Sequence, residues 1–236
     1  MHGLFYLSVF IFRDYNRRFR LIIQFSILVI VIGLFFNYHY APYSYHYIAL
    51  GKSIFLMMIS LLTTYQLSKS NYNRRLYILL SRVSRKELSL SLILVAFIIV
   101  VFFSIILDLY LLLLAQIESE MLLNPFYLTA NLIIIFLSVI TTYLFSYFTV
   151  KRELIILSLI FLVLGSIPEW YIISPLTWLL KGISWLFPPL SLNILALVNK
   201  QGSVGLFIHS VGYGLLALFT ALILIKRKSF SDLPTD

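Results

Sequence analysis

Long apolar runs dominate the chain, and they predict membrane-spanning helices. A helix needs about 20 apolar residues to cross about 30 Å of hydrocarbon, and it satisfies its own backbone hydrogen bonds inside lipid. The runs lack the period-two alternation of membrane-barrel strands. We therefore predict an all-α membrane protein in which residues 1–236 form a single transmembrane domain. The six predicted transmembrane helices cover approximately residues 20–37, 48–67, 88–112, 128–150, 153–167 and 204–225.

The composition favours the same class of protein. Hydrophobic residues make up 61% of the 236 positions and charged residues only 11%, whereas a soluble domain is about half apolar and about one quarter charged. Because so few charged residues cannot cover the surface of a globule in water, the excess apolar surface must face lipid. Cysteine is absent, which excludes a disulfide framework and a thiolate metal site.

The positive residues predict the orientation in the membrane. Of the 18 Lys and Arg residues, fifteen lie before the first span, between the second and third, between the fourth and fifth, or after the sixth. Only Lys52, Lys181 and Lys200 lie on the other side. Cytoplasmic loops carry an excess of Lys and Arg, so both termini are predicted to be cytoplasmic, in a membrane expected to be the bacterial inner (plasma) membrane. This placement accounts for the net charge of +9 without a nucleic-acid partner.

Two segments are predicted to lie at the membrane surface rather than to cross it. Residues 1–20 are aromatic and aliphatic first and basic afterwards, which is typical of an interfacial helix; the alternative is a frayed start of the first span. Prolines interrupt the apolar residues 168–201, and all three tryptophans, which favour the membrane interface, lie there. We predict a broken outer-leaflet segment with short helices at about 175–187 and 190–199; the alternative is a seventh span.

The loop between the second and third spans contains the most specific motif. Residues 79–87 read LLSRVSRKE, after an apolar stripe that begins at Leu76. This run resembles the coupling-helix segment of type-2 ABC exporter permeases, in which a Leu-Leu-Ser-Arg-Pro-(Ile/Val)-Ser-Arg-x-Glu pattern docks on the ATPase subunit. The chain lacks the proline, is one residue shorter there, and has Ser89-Leu90 in place of a frequent Gly-Lys. The alternative is a basic loop that merely follows the positive-inside rule.

The resemblance implies a membrane-spanning permease subunit of an ATP-driven transporter that exports an amphiphilic or cofactor-like cargo. It implies two cytoplasmic ATP-binding subunits, which would hold the ATP and Mg²⁺, and a second permease copy or a paralogue. This chain would then hold no cofactor and would not itself be an enzyme. Residues 73–87 would form the cytoplasmic coupling helix. The implied ATPase-coupling residues are Leu79, Leu80, Arg82, Ser84, Arg85 and Glu87.

A second set of residues is predicted to form an outer gate or cargo path. Asp108 is the one acidic residue within the apolar run of the third span. At ~1.5 Å per residue it lies about 30 Å from Leu88, which is near the outer interface. A hydrated or capping role and a role in the cargo path both remain open for it. The predicted set is Trp178, Trp185, Pro188, Pro189 and Asp108.

Other candidate sites have simpler explanations. Gly51-Lys52-Ser53 resembles the end of a phosphate-binding loop, but His46 stands where that loop needs a glycine. The tyrosines and histidines of residues 38–47 are explained by an aromatic belt, so no metal site is predicted. Ser210 and Gly214, four apart, are expected to allow close helix packing. The alternative function is a non-transporting membrane scaffold or a component of a metal- or haem-protein maturation complex.

Overall fold

A computed structural model of the protein describes residues 2–17, 20–36, 45–70, 84–113, 124–148, 156, 158–160, 162–163, 187–198 and 203–227. Within these residues the regular structure is entirely helical, as predicted. The named helices are α1 (His2–Arg17), α2 (Arg20–Phe35), α3 (Tyr45–Ser70), α4 (Arg85–Leu113), α5 (Pro125–Phe148), α6 (Leu190–Val198) and α7 (Val204–Arg227). Residues 156, 158–160 and 162–163 are also helical.

Four helices of the described part are long and apolar enough to cross a membrane. They are Tyr47–Ser68, Lys86–Leu113, Pro125–Phe145 and Val204–Leu224, and they match the second, third, fourth and sixth predicted spans. Helix α2 is also apolar, but its 16 residues rise only about 24 Å. The described part of the chain is therefore all-helical, with several apolar helices suited to a membrane.

Side-chain contacts show how the central helices run relative to one another. Lys52, near the start of α3, is bonded to Asp108, near the end of α4, so α3 and α4 are antiparallel. The Lys52 ammonium group also lies over the ring of Tyr127, near the start of α5. Because α3 and α5 pack along each other, this contact makes them parallel.

The outer helices follow the same pattern. Arg20, at the start of α2, donates a hydrogen bond to the carbonyl of Gln66, near the end of α3, so α2 and α3 are antiparallel. The rings of Phe126 and Phe207 lie 5.6 Å apart near the starts of α5 and α7, which are therefore parallel. Helices α2 and α4 begin at one end of the bundle, and α3, α5 and α7 finish at that same end. We call it the basic end, because Arg20, Arg85 and Arg227 are the terminal residues of three of these five helices there.

Helix α1 packs against the basic end. The hydroxyl of Ser91 in α4 donates to the carbonyl of Leu4 at 3.5 Å, and Tyr15 reaches α2 and α3. Leu7, Ile11 and Tyr15 recur every four residues and form the buried face of α1. Its opposite face exposes aromatic side chains, among them Phe5, Tyr6 and Phe10.

Each long helix buries one face and exposes large apolar side chains on the other. In α4, Ile99 and Phe103 are buried, whereas Ile98 and Phe102 are about half exposed. Helix α7 is the least enclosed, with 17% of its apolar segment buried against 56–67% for the other three long helices. Soluble monomers rarely expose apolar surfaces this extensive, which supports a membrane-embedded protein.

The close approach predicted at Gly214 is present between α7 and α5. A Cβ atom added to Gly214 would overlap the ring of Phe136 and lie 2.9 Å from its Cδ1 atom. The hydroxyl of Ser210, one turn earlier, accepts a hydrogen bond from the Asn193 amide of α6 at 2.7 Å. These small residues therefore serve packing within the chain.

Candidate functional site

The predicted ATPase-coupling motif finishes in a helix cap. The carboxylate of Glu87 accepts hydrogen bonds from the backbone N–H of Ser84 at 3.1 Å and from its hydroxyl at 2.9 Å. In return the backbone N–H of Glu87 donates to the Ser84 hydroxyl at 3.2 Å. This reciprocal pair is a capping box, which satisfies donors that the first helical turn leaves open. Ser84 and Glu87 are both exposed, and together they define where α4 begins.

The remaining predicted coupling residues are described only in part. Arg85 is the first residue of α4. Leu79, Leu80 and Arg82 lie outside the described residues, as does the predicted coupling helix before Ser84. The assignment of residues 73–87 to ATPase docking stays a prediction.

A buried polar network, not predicted from the sequence, joins α1 to α2 and α3 at the basic end. The Tyr15 hydroxyl donates to the side chain of Gln66 at 2.8 Å and accepts from the Gln24 amide. The same amide donates to the hydroxyl of Thr63. The guanidinium group of Arg20 lies 5.7 Å from the centre of the Tyr15 ring. We call these five residues the basic-end network.

Burial controls the protonation state of this network. It raises the pKa of the Tyr15 phenol above its usual value, against the smaller opposing effects of Thr63 and Arg20. The phenol is therefore neutral and keeps its proton for the hydrogen bond to Gln66. Tyr15 thus connects α1 to both α2 and α3.

A second buried polar site lies toward the opposite end. The ammonium group of Lys52 is 2.6 Å and 2.7 Å from the two carboxylate oxygens of Asp108, and 4.6 Å from the centre of the Tyr127 ring. Lys52 is fully buried, and the side chain of Asp108 is 17% exposed. A buried charge requires such a partner. One ion pair thus links α3, α4 and α5.

Both members of the pair lie near the helix ends that are opposite to the basic end. Asp108 is five residues from the end of α4, and Lys52 is seven residues from the start of α3. At ~1.5 Å per residue, both lie about 7–10 Å inside the helix ends. The sequence interpretation excluded Lys52 from nucleotide binding and gave it no other role. The structure instead makes it the partner of Asp108.

The proline pair of the predicted outer gate precedes a helix. Pro188 and Pro189 are buried immediately before α6, close to the predicted helix at about 190–199. The Asn193 amide donates to the carbonyl of Pro189 at 2.6 Å and to Ser210 of α7, which fixes α6 against α7. Trp178 and Trp185, and the predicted helix at 175–187, lie outside the described residues.

A comparison with known proteins found no protein-family model, no curated protein and no solved structure that matches the chain. The resemblance of residues 79–87 to a coupling helix is therefore one of sequence pattern alone.

Proposed function

We propose that this chain is the membrane-spanning permease subunit of an ATP-driven ABC transporter of the type-2 exporter kind. One observation carries the proposal: the run at residues 79–87 leads directly into the capped start of α4, and α1 packs on that same part of α4. A docking element needs a fixed connection to a spanning helix, and the bonds between Ser84 and Glu87 hold the last residues of the run on the first turn of α4. ATP and Mg²⁺ belong to two cytoplasmic partner subunits.

The directions of the helices support six spans. Helix α5 finishes at the basic end, whereas α7 begins at the opposite end, and the proposal has the chain cross the bundle once more between them. Helical residues lie within this interval, where Ser158 and Leu162 are buried and Ile156 and Leu159 are exposed. Buried and exposed residues in this order are typical of a spanning helix with one face packed on the bundle and the other facing lipid. They support the span predicted at 153–167.

The charges support an orientation with the basic end in the cytoplasm. Arg13 and Arg17 of α1, Arg20 of α2 and Lys86 of α4 all belong to the part of the bundle that forms this end. The exposed aromatic face of α1 would then lie in the inner headgroup region, as in interfacial helices. The proposal therefore has the protein in the bacterial inner membrane, with both termini in the cytoplasm.

The mechanism follows from the connections of α4. Movement of the ATPase subunits would be passed to residues 73–87 and from there to α4 as a rigid element. Asp108 lies 23 residues beyond Arg85 on the same helix, or about 35 Å away. The displacement therefore reaches the Lys52–Asp108 pair, where α3, α4 and α5 meet. An outer gate formed by this pair, the prolines before α6, Trp178 and Trp185 would open for an amphiphilic or cofactor-like cargo.

Purification from native membranes tests the proposal. A tagged chain, extracted in mild detergent and analysed by mass spectrometry, should bring down an ATP-binding subunit together with a second permease copy or a paralogue. The complex should hydrolyse ATP, although the isolated chain should not. If the chain instead co-purifies with a stable assembly that contains no ATP-binding subunit, the proposal is wrong and the scaffold alternative is favoured.

A further inference from the structure

Helices α3 and α5, which pack along each other, bury polar groups whose hydrogen-bonding capacity is unused. These two helices share the most extensive helix–helix interface of the described part. Six residues in α3 and α5 are at most 3% exposed and each has a side-chain oxygen without a hydrogen-bond partner among the described residues. We call this set the polar seam: Ser60 and Thr64 of α3, and Asn131, Ser138, Thr141 and Thr142 of α5.

The polar residues of α5 share one face, and that face is directed toward α3. With 3.6 residues per turn, the α5 members of the seam fall on the same side as Tyr127. The ring of Tyr127 contacts Lys52 of α3. Phe136, on the other side of α5, packs on Gly214 of α7.

The residues of the seam on α3 are equally enclosed. Ser60 and Thr64 are four residues apart and so lie one turn apart on the same side of the helix. The exposed face of α3 is formed by other residues, Leu50, Ile54 and Met58. The seam thus runs inside the bundle, from the neighbourhood of Lys52 toward the basic end.

Buried hydroxyl groups elsewhere in α3 do have partners. The hydroxyl of Ser53 donates to the carbonyl of Ala49 at 2.7 Å, and that of Thr63 accepts a hydrogen bond from the Gln24 amide. A polar group that loses water without gaining a hydrogen bond destabilises the state in which it is buried. Burial of these unpaired groups therefore raises the free energy of the closed arrangement of α3 against α5, and alanine or valine at the same positions would remove this destabilisation.

We propose that α3 and α5 separate along the polar seam to admit water, so that this face of α5 lines an aqueous path from the basic end to the Lys52–Asp108 pair. Water supplies the hydrogen bonds that the seam residues lack in the closed arrangement. Water that reaches the pair also weakens the attraction between its charges, because the interaction falls as the local dielectric constant rises. Opening of the seam and release of α3 from α4 are thereby coupled. The inference depends on the protein being embedded in a membrane, and not on the identity of its partners.

Single cysteines test whether the seam takes up water. The chain contains no cysteine, so Ser60→Cys and Ser138→Cys each introduce one thiol into the seam. The matched controls are Met58→Cys and Leu132→Cys, on the exposed apolar faces of the same helices. Silver ion is added to native membranes, and the unreacted thiols are then counted with a fluorescent maleimide after denaturation. Thiols react as thiolates, which form only where water is present.

The expected result is that both seam cysteines react with silver at least ~10-fold faster than the two controls, because only the seam lets water ionise the thiol. Equal, slow reaction of all four would overturn the proposal, since it would mean that the seam stays dry. Fast reaction of the controls as well would also overturn it, because the difference between the two faces would then be absent.

A second comparison uses stability and needs no reporter group. Ser60→Ala should raise the Tm in mild detergent, because it removes an unpaired buried hydroxyl group. Ser53→Ala, in the same helix and equally buried, should lower the Tm, because it removes a hydroxyl group that is bonded. A decrease with Ser60→Ala as large as that with Ser53→Ala would show that the Ser60 hydroxyl has a partner in the working protein, and the seam would then be ordinary packing.

Discussion

Lys52 and Asp108 are 56 positions apart in the sequence, and in the folded chain the Lys52 ammonium group lies 2.6 Å from a carboxylate oxygen of Asp108. The ring of Tyr127 covers the ammonium group, so one contact joins three helices. The pair lies within otherwise apolar parts of α3 and α4. Loss of either charge should therefore destabilise the protein far more than loss of one partner in a surface ion pair would.

Replacement of one member of the pair is expected to destabilise the protein strongly. Lys52→Met leaves the carboxylate of Asp108 without its cation, and Asp108→Leu leaves the ammonium group without its anion. Each should cost about 3–5 kcal/mol, whereas the double replacement should recover most of that loss, because two apolar side chains of similar volume pack without a charge. Thermal unfolding of all three variants in mild detergent measures the coupling.

The control for this cycle is Lys86→Met, which removes an exposed cation near the start of α4 and should change stability little. If the losses of the two single replacements simply add in the double variant, Lys52 and Asp108 do not interact in the folded protein. That result would also remove the pair from the mechanism proposed for α4.

The capping box at the start of α4 gives a second prediction. Glu87→Gln should preserve the cap, because glutamine accepts the same hydrogen bonds at this position. Glu87→Ala should remove it and let the first turn of α4 fray. Hydrogen exchange of the amides of Glu87 and Leu88 should therefore be faster in the alanine variant only. Equal exchange in the two variants would mean that the bonds between Ser84 and Glu87 do not hold the helix start.

The hydrogen bonds of Tyr15 give a third prediction, about the docking of α1. Tyr15→Phe leaves Gln66 and Gln24 without their common partner and should cost about 1–3 kcal/mol. The loosened helix should be cleaved faster by trypsin at Arg13 and Arg17. Tyr6→Phe, the same change on the exposed face of α1, should have no effect on either measurement. Similar cleavage of the two variants would show that the phenol of Tyr15 does not hold α1 in place.

The apolar runs predicted the long helices well, because burial in lipid and backbone hydrogen bonding are local requirements. Gly214 was also predicted as a site of close packing, since a missing side chain is visible in the sequence. The Lys52–Asp108 pair was not, because it depends on the rotation and register of two helices. Gln24 did offer a signal, as a polar residue within the first apolar run, but its partners Tyr15 and Thr63 lie on other helices. Ser84 and Glu87 form a local helix cap, which the sequence interpretation missed because it considered their motif only as a docking element.

The fourth prediction concerns orientation and follows from the positions of the cations. A cysteine at Ser70, the last residue of α3, or at Ser229 should be labelled by a membrane-impermeant maleimide only from the cytoplasmic side. One at Ser44 should be labelled from outside. Intact spheroplasts and inverted vesicles distinguish the two sides. Labelling of the Ser70 variant in intact spheroplasts would reverse the orientation and place the coupling motif out of reach of ATP.

The last prediction tests the function, at the first residue of α4. If residues 73–87 dock on an ATPase, a few anchors carry most of the binding energy, and a guanidinium group that binds a carboxylate through two hydrogen bonds is a suitable anchor. Arg85→Glu should therefore abolish co-purification of the ATPase while membrane insertion is unchanged. Loss of a buried charge partner costs about 2–5 kcal/mol, which weakens association at least ~30-fold at ~1.4 kcal/mol per decade.

Lys69→Glu is the matched charge reversal, because Lys69 lies at the other end of the same loop, next to the last residue of α3. If Lys69 only contributes to the orientation of the chain, its replacement should leave the ATPase bound. The positive-inside rule predicts similar and small effects for both variants, since it counts charges and not their positions within the loop. Docking through Arg85 predicts a large effect for one variant alone. If both variants retain the ATPase equally, residues 73–87 are not the coupling helix.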